Sequence, residues 1–213
     1  MHSVFTRFTA AAVFAVLGTS AVAQTTITSR PAGGTVSPFG RPDTATYGQT
    51  FVAPLVDNVL DSFDFDLYDG VDTFKFYVME WDGSKATGPI LYESSTLTGP
   101  GGLTTYTINT GGVSLVGGGS YVGFISTSAL PGNTGASFSY LGSVDYTDGR
   151  FVFLNNGPDA GQWTTTSWNY FGSTDLAFTA KFSPGSPAVP EPGTVAMLAG
   201  MGGAALLVIR RRR

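Results

Sequence analysis

Cysteine is absent from this 213-residue chain, and histidine occurs once, at His2. Without cysteine there is no disulfide, no thiolate metal site and no sulfur nucleophile. His2 falls in a segment that reads as cleaved, so the mature chain carries no imidazole. That removes a Ser-His-Asp triad, a histidine zinc site and a histidine general base. Charge is also scarce, at 12% of residues against a usual quarter. Residues 24–189 hold six basic and fourteen acidic side chains, a net charge of −8. An acidic surface repels a phosphate backbone, so no nucleic acid partner is expected. No cofactor is expected either.

What the chain does have is glycine, 29 residues of it, and aromatics at 13%. Glycine supplies the positive φ angles of tight turns, and aromatics fill strand-built cores, so the composition points to a β-rich globule and away from disorder.

The two ends carry addresses. Arg7 is followed by the apolar stretch FTAAAVFAVL at residues 8–17 and then by Ala21-Val22-Ala23. A small residue at Ala21 and at Ala23 is the cleavage pattern of a secretory signal peptide, with the cut before Gln24. About ten apolar residues are too few to cross a hydrocarbon core of about 30 Å, which argues against an uncleaved anchor. The partners implied are the Sec export machinery and a signal peptidase. At the other end, residues 183–189 have linker composition, and residues 194–209 are apolar or small without a charge. As a helix that run reaches about 24 Å, and Arg210, Arg211, Arg212 and Arg213 extend it by snorkelling. Positive charge stays on the cytoplasmic side, so the arginines act as a stop-transfer tail and leave the rest of the chain outside.

Pro190-Glu191-Pro192, the apolar run 194–209 and Arg210 to Arg213 occur in that order at the extreme C-terminus. This end resembles the PEP-CTERM sorting signal of Gram-negative bacteria. The resemblance implies that the partner is an exosortase, a membrane enzyme that recognises and processes the tail. Two prolines keep the motif extended, and Glu191 offers one carboxylate at the membrane's outer edge. The expected route is an inner-membrane-anchored precursor, then the cell surface or extracellular matrix. An association with exopolysaccharide or biofilm is also implied by the resemblance.

Between the addresses, period-2 alternation is plain. Phe63, Phe65 and Leu67 alternate with Asp64, Asp66 and Tyr68; Phe74, Phe76 and Val78 follow the same rule, as do Leu176, Phe178, Ala180 and Phe182. Asp69-Gly70 reads as a hairpin turn between the first two runs, and Asp82-Gly83 as a turn closing the second. Further strands are expected at 49–53, 90–94, 104–108, 121–126, 137–141 and 151–154. The expected fold is all-β: an antiparallel, jelly-roll-like sandwich over residues 24–182, flanked by a signal-peptide helix (1–23) and, within the sorting signal (190–213), a transmembrane helix. The domain also looks like small β-sandwiches found ahead of PEP-CTERM tails. The matching stretches are Gln49-Thr50-Phe51, the strand 63–68, Trp81-Asp82-Gly83, Tyr121-Val122-Gly123-Phe124 and Asp175-Leu176-Ala177-Phe178.

Three sets of residues are candidates for chemistry in the domain. Trp163, Trp168 and Tyr170, in the polar stretch GQWTTTSWNYFG, suit a carbohydrate platform if exposed; the competing reading makes them buried caps on the sandwich. Asp64, Asp66 and Asp69 are calcium candidates, because turn carboxylates suit a hard cation, yet no D-x-D-x-D-G loop is present and a solvated strand face is the better account of Asp64 and Asp66. Glu80 and Glu93, the domain's two glutamates, are the pair a polysaccharide hydrolase would need. The leading expectation is a non-enzymatic surface or matrix protein, with a carbohydrate-binding module as the alternative and a hydrolase third.

Overall fold

A computed structural model describes residues 24–185, apart from 69, 100 and 132–136. The strands run β1 (Thr25–Thr28), β2 (Ala32–Phe39), β3 (Thr46–Val52), β4 (Val59–Tyr68) and β5 (Thr73–Trp81). They continue with β6 (Ala86–Glu93), β7 (Leu97–Thr98), β8 (Leu103–Ser114), β9 (Ser120–Ser126) and β10 (Ser137–Gly142). β11 (Phe151–Leu154), the one-turn helix α1 (Gln162–Thr165), β12 (Asn169–Tyr170) and β13 (Phe178–Ser183) complete the order.

The pairing is antiparallel throughout and forms an antiparallel β-sandwich. One sheet, here the first, runs β1-β13-β4-β10-β2 with β8 on the far side of β4. The second runs β12-β11-β3-β9-β5-β6, with β7 added to β5. All nine expected strands are present, several longer than expected. The structure adds β1, β2, β7 and β12.

The inward residues of the two sheets make an aromatic core. Phe63 and Phe178 stack at 5.5 Å within the first sheet, while Phe65 reaches Phe76 of the second at 6.1 Å. Gly123 makes room for this: a Cβ there would lie 2.9 Å from the Phe63 ring. Near the start of β4 both Leu60 and Phe63 face the core, although strict alternation would separate them. The register shifts there against both neighbours, so that Leu60 faces Phe182 and Ser62 faces Lys181. Asp61 is the extra residue of this β-bulge, and it restores the inward direction on either side.

One expectation fails. β4 and β5 do not form the hairpin expected at Asp69-Gly70, because they lie in different sheets; Asp69 itself lies outside the described residues. Phe63 and Phe65 do share a core with Phe74 and Phe76, but across the interface and not side by side in one sheet. Asp82-Gly83 does close a hairpin, between β5 and β6. Asp82 Oδ1 accepts the Ser84 and Lys85 amides at 2.8 and 2.9 Å, and Gly83 takes a φ of +98°. The Lys85 ammonium, and after it these backbone bonds, hold the Asp82 carboxyl well below the usual carboxylate range.

The expected signal-peptide helix (1–23) and membrane helix (194–209) lie outside the described residues. Among those described, no helix is long and apolar enough to cross a membrane.

Candidate functional site

The second sheet buries both of its faces, and the outer one is covered by the chain between β11 and β12. Tyr77, Met79, Val122, Phe124, Val152 and Leu154 point outward from the strands and meet Trp163 and Trp168. Trp163 is 5% exposed; its ring lies 4.8 Å from Tyr77 and 5.0 Å from Phe124, and its indole N–H donates to Thr46 Oγ1 at 3.1 Å. Trp168 is 4% exposed and donates its N–H to the Trp163 carbonyl at 2.9 Å. Gly48 beneath it is a glycine for space, since a Cβ would sit 3.1 Å from the Trp168 ring and 2.9 Å from Val122. The two tryptophans are therefore caps on a second apolar layer and not an exposed sugar platform. Of the two readings of Trp163 and Trp168, the buried caps hold: the residues separating them are polar, and the turn of α1 brings the rings back onto the sheet.

Tyr170 does stay exposed. The Arg150 guanidinium stacks on its ring, 4.8 Å from the centroid. These two border a groove of about 550 Å³ that also touches Trp81, Ser84, Asp148 and the rim of Trp168. A shallower depression of about 360 Å³ shares Arg150 and Tyr170 and brings in Asp145. Aromatic faces beside an arginine, carboxylates and hydroxyls form an amphipathic strip, which can stack an apolar ring face and hydrogen-bond its polar substituents. Arg150 and Asp148 gave no sequence signal: they belong to a loop, and only the fold brings them to Tyr170 and Trp81.

Of the calcium candidates, Asp64 and Asp66 share one face of β4, but Asp66 is already paired within the protein. Asp66 is 5% exposed and not on a solvated face. Arg30 grips both of its oxygens at 2.7 and 2.8 Å, and Thr105 Oγ1 donates to Oδ1 at 2.7 Å. Its lone pairs are committed to a cation that the chain itself supplies. Asp64, two residues back on the same face, lies opposite Thr107 and Thr179. Asp69 lies outside the described residues. Among the described residues, no three carboxylate, imidazole or thiolate groups cluster.

The glutamates fare no better as a catalytic pair. Glu93 lies opposite Tyr77, on the outer face, and its carboxylate meets Lys75 at 2.5 Å. Glu80 lies opposite Tyr121, whose ring belongs to the inner core. Directly paired residues share a face, so Glu80 and Glu93 point to opposite sides of the sheet. They do not flank one cleft.

One buried acid escaped the sequence reading. Asp175 is 3% exposed, just before β13. Gln49 Nε2 donates to its Oδ1 at 2.6 Å, the Tyr146 amide donates to Oδ2 at 2.9 Å, and the Leu176 amide donates to Gln49 Oε1 at 2.8 Å. Burial pushes its carboxyl up, against the pull of those donors, and Asp145 adds to the rise. This knot ties β3 of one sheet to the approach of β13 in the other. Asp175 lines neither depression, so its role is structural.

Comparison with known proteins identifies the tail. The sequence model of the PEP-CTERM protein-sorting motif matches residues 188–213. This chain carries a PEP-CTERM sorting signal. Pro190, Glu191, Pro192 and Arg210 to Arg213 fall inside the match and outside the described residues. The signal implies export, a membrane-anchored C-terminus and processing by an exosortase. Ala21 and Ala23, the expected signal-peptide cleavage residues, also lie outside the described residues. No curated protein matches the chain.

Among solved structures, the chain is similar to the clostridial cysteine protease Cwp84 after propeptide cleavage. The TM-score is 0.55 at 12% identity, covering 76% of this chain and 40% of that one. A second similar structure contains the cysteine protease and lectin-like domains of Cwp84, a surface layer associated protein of Clostridium difficile. Its TM-score is 0.48 at 13% identity, covering 67% of this chain and 32% of that one. The chain thus spans about two-fifths of the length of the first structure, and the likeness is one of fold. Cysteine-protease chemistry does not come with it, since the PEP-CTERM chain has no cysteine.

Proposed function

We propose that this is a non-catalytic surface or matrix protein: a β-sandwich exported behind a signal peptide, delivered by its PEP-CTERM tail, and associated outside the cell with exopolysaccharide. The observation that carries the reading is the complete sorting motif at residues 188–213 behind a self-contained sandwich. Among the described residues, the side chains singled out for catalysis are not brought together. There is no cysteine, the one histidine precedes the domain, and Glu80 and Glu93 face opposite ways. Mass spectrometry of the mature protein from its host tests the reading directly. The expected species begins at Gln24 and ends within or just before the motif; an intact chain with both termini, recovered from the cytosol, overturns it.

Binding of carbohydrate by the sandwich itself is the second reading, and the groove between Trp81 and Tyr170 favours it. A neutral or acidic glycan would stack on Tyr170 and Trp81 and use Arg150 and Asp148 for its hydroxyls or carboxylates. Tyr170→Ala should lose retention on a polysaccharide column with its far-ultraviolet spectrum unchanged. Equal retention removes the groove as the site.

A further inference from the structure

The most exposed large apolar side chains of the sandwich sit together at one end. Leu55 is 81% exposed, Val56 78% and Val116 70%. They belong to two loops, residues 53–58 and 115–119, that are bonded to one another. The Ala53 amide donates to Gly119 O at 2.9 Å, the Gly118 amide to Ala53 O at 2.8 Å, and the Leu115 amide to Asn58 O at 2.9 Å. Tyr121 Oη accepts the Val116 amide at 2.8 Å. Leu55 packs so closely on the second loop that a Cβ on Gly117 would stand 2.6 Å from its carbonyl oxygen. Residues 53–56 and 115–119 contain no charged side chain. Contacts that fix a loop while leaving its largest apolar groups in water mark a surface built for an apolar partner.

Both ends of the described sandwich, at Gln24 and Gly185, lie at this same end. β13 finishes with Ser183 opposite Val59, and a Cβ on Gly185 would lie 3.3 Å from Asn58 Oδ1. β1 begins with Thr25 opposite Phe182, and Gln24 Nε2 donates to Asp61 Oδ2. Asn58 belongs to the first apolar loop, so the exit toward the sorting tail lies directly beside the tip. Only residues 186–193 separate Gly185 from the apolar run that begins at Thr194. Eight extended residues reach at most about 28 Å.

We propose that the Leu55–Val56–Val116 tip docks into the outer surface of the membrane that holds the tail. This rests on the reading that the tail is membrane-anchored. The tether supplies the affinity that three side chains lack alone, because it turns docking into an intramolecular event at high effective concentration. The tip then enters the headgroup boundary, where its apolar area leaves water. The acids beside the tip accept from neutral donors, Asp57 from Thr25 and Asp61 from Gln24 and Ser183, which cancel no charge, so an anionic surface is disfavoured. A neutral lipid surface is therefore the fitting partner.

The absence of cysteine makes the test clean. Leu55→Cys and Val116→Cys place a single environment-sensitive dye on the tip of the full chain. Leu103→Cys serves as the control: Leu103 is 59% exposed and lies opposite Tyr68, at the far end of β4, about 30 Å away. Each chain is reconstituted into phosphatidylcholine vesicles, with flotation measured alongside emission and quenching by a lipid-borne quencher. The proposal expects a blue shift and quenching at positions 55 and 116 and neither at 103. A chain that floats while the dyes at 55 and 116 report water overturns docking and leaves anchoring intact. A chain that does not float overturns both. Protection at 55 that appears without lipid and grows with protein concentration assigns the tip to a second copy and overturns the lipid partner.

Discussion

Replacing Trp163 by alanine separates a structural tryptophan from a sugar-stacking one. The side chain fills the space between Tyr77, Phe124 and Trp168 and is 5% exposed. Truncating a buried tryptophan to alanine costs about 3–5 kcal/mol, through lost transfer energy and the cavity left behind. Losing its hydrogen bond to Thr46 adds about 1 kcal/mol, because that hydroxyl sits in a buried network with Ser126 and Asn156 and water does not readily replace the donor. A loss of roughly 4–6 kcal/mol is a large share of the 5–15 kcal/mol typical of a domain. In a domain of this size it lowers the thermal midpoint by about 8–24 °C. Chemical denaturation followed by far-ultraviolet circular dichroism measures it. Trp163→Phe, which keeps most of the packing but not the N–H, should fall between. Tyr170→Ala, on an exposed ring, should stay within about 0.5 kcal/mol of the parent. If Trp163→Ala melted within a degree or two of the parent while losing polysaccharide retention, the assignment of this side chain to the outer core would be wrong.

Two further outcomes follow from the buried acids. Asp66→Ala strips the Arg30 guanidinium of both its hydrogen bonds; the arginine is 26% exposed and regains some water, so the expected loss is about 2–3 kcal/mol by urea denaturation, and a neutral result would mean that the pair contributes no net stability. Asp175 has a folded-state pKa raised above the unfolded value of 3.8, so the folded chain keeps its proton where the unfolded chain has lost it. Its burial penalty is full above the folded pKa and disappears as pH falls through that value toward 3.8; the stability of the parent relative to Asp175→Asn should therefore rise on acidification, and a flat or opposite difference would refute the assignment.

The sequence made some of this fold legible and hid the rest for identifiable reasons. The runs at Phe63, Phe74 and Phe178 alternate cleanly and became strands. Alternation says which side chains face a core, but not whether two neighbouring strands lie side by side or face each other. The expected hairpin at Asp69-Gly70 fails for that reason, since β4 and β5 lie in different sheets. The bulge at Asp61 breaks the period and concealed the first residues of β4. β2, with Gly33, Gly34 and Pro38, has the composition of a loop, and it is a strand because it takes an edge position where one partner is enough. Trp163 and Trp168 lacked an apolar context because their partners come from β5, β9 and β11. The groove at Arg150 and Tyr170 exists only after those strands are assembled. The sorting tail was readable in full, since a linear signal is recognised by another protein and needs no tertiary neighbours.

The position of β13 has a consequence for when this protein acquires its shape. The last strand to be synthesised lies between β1, the first, and β4. Until residue 183 is free to pair, β1 has no neighbour among the described strands and β4 lacks its partner over Val59–Phe65. Closure of the first sheet therefore waits for the last described strand, and the chain acquires its shape only when nearly all of the domain is present.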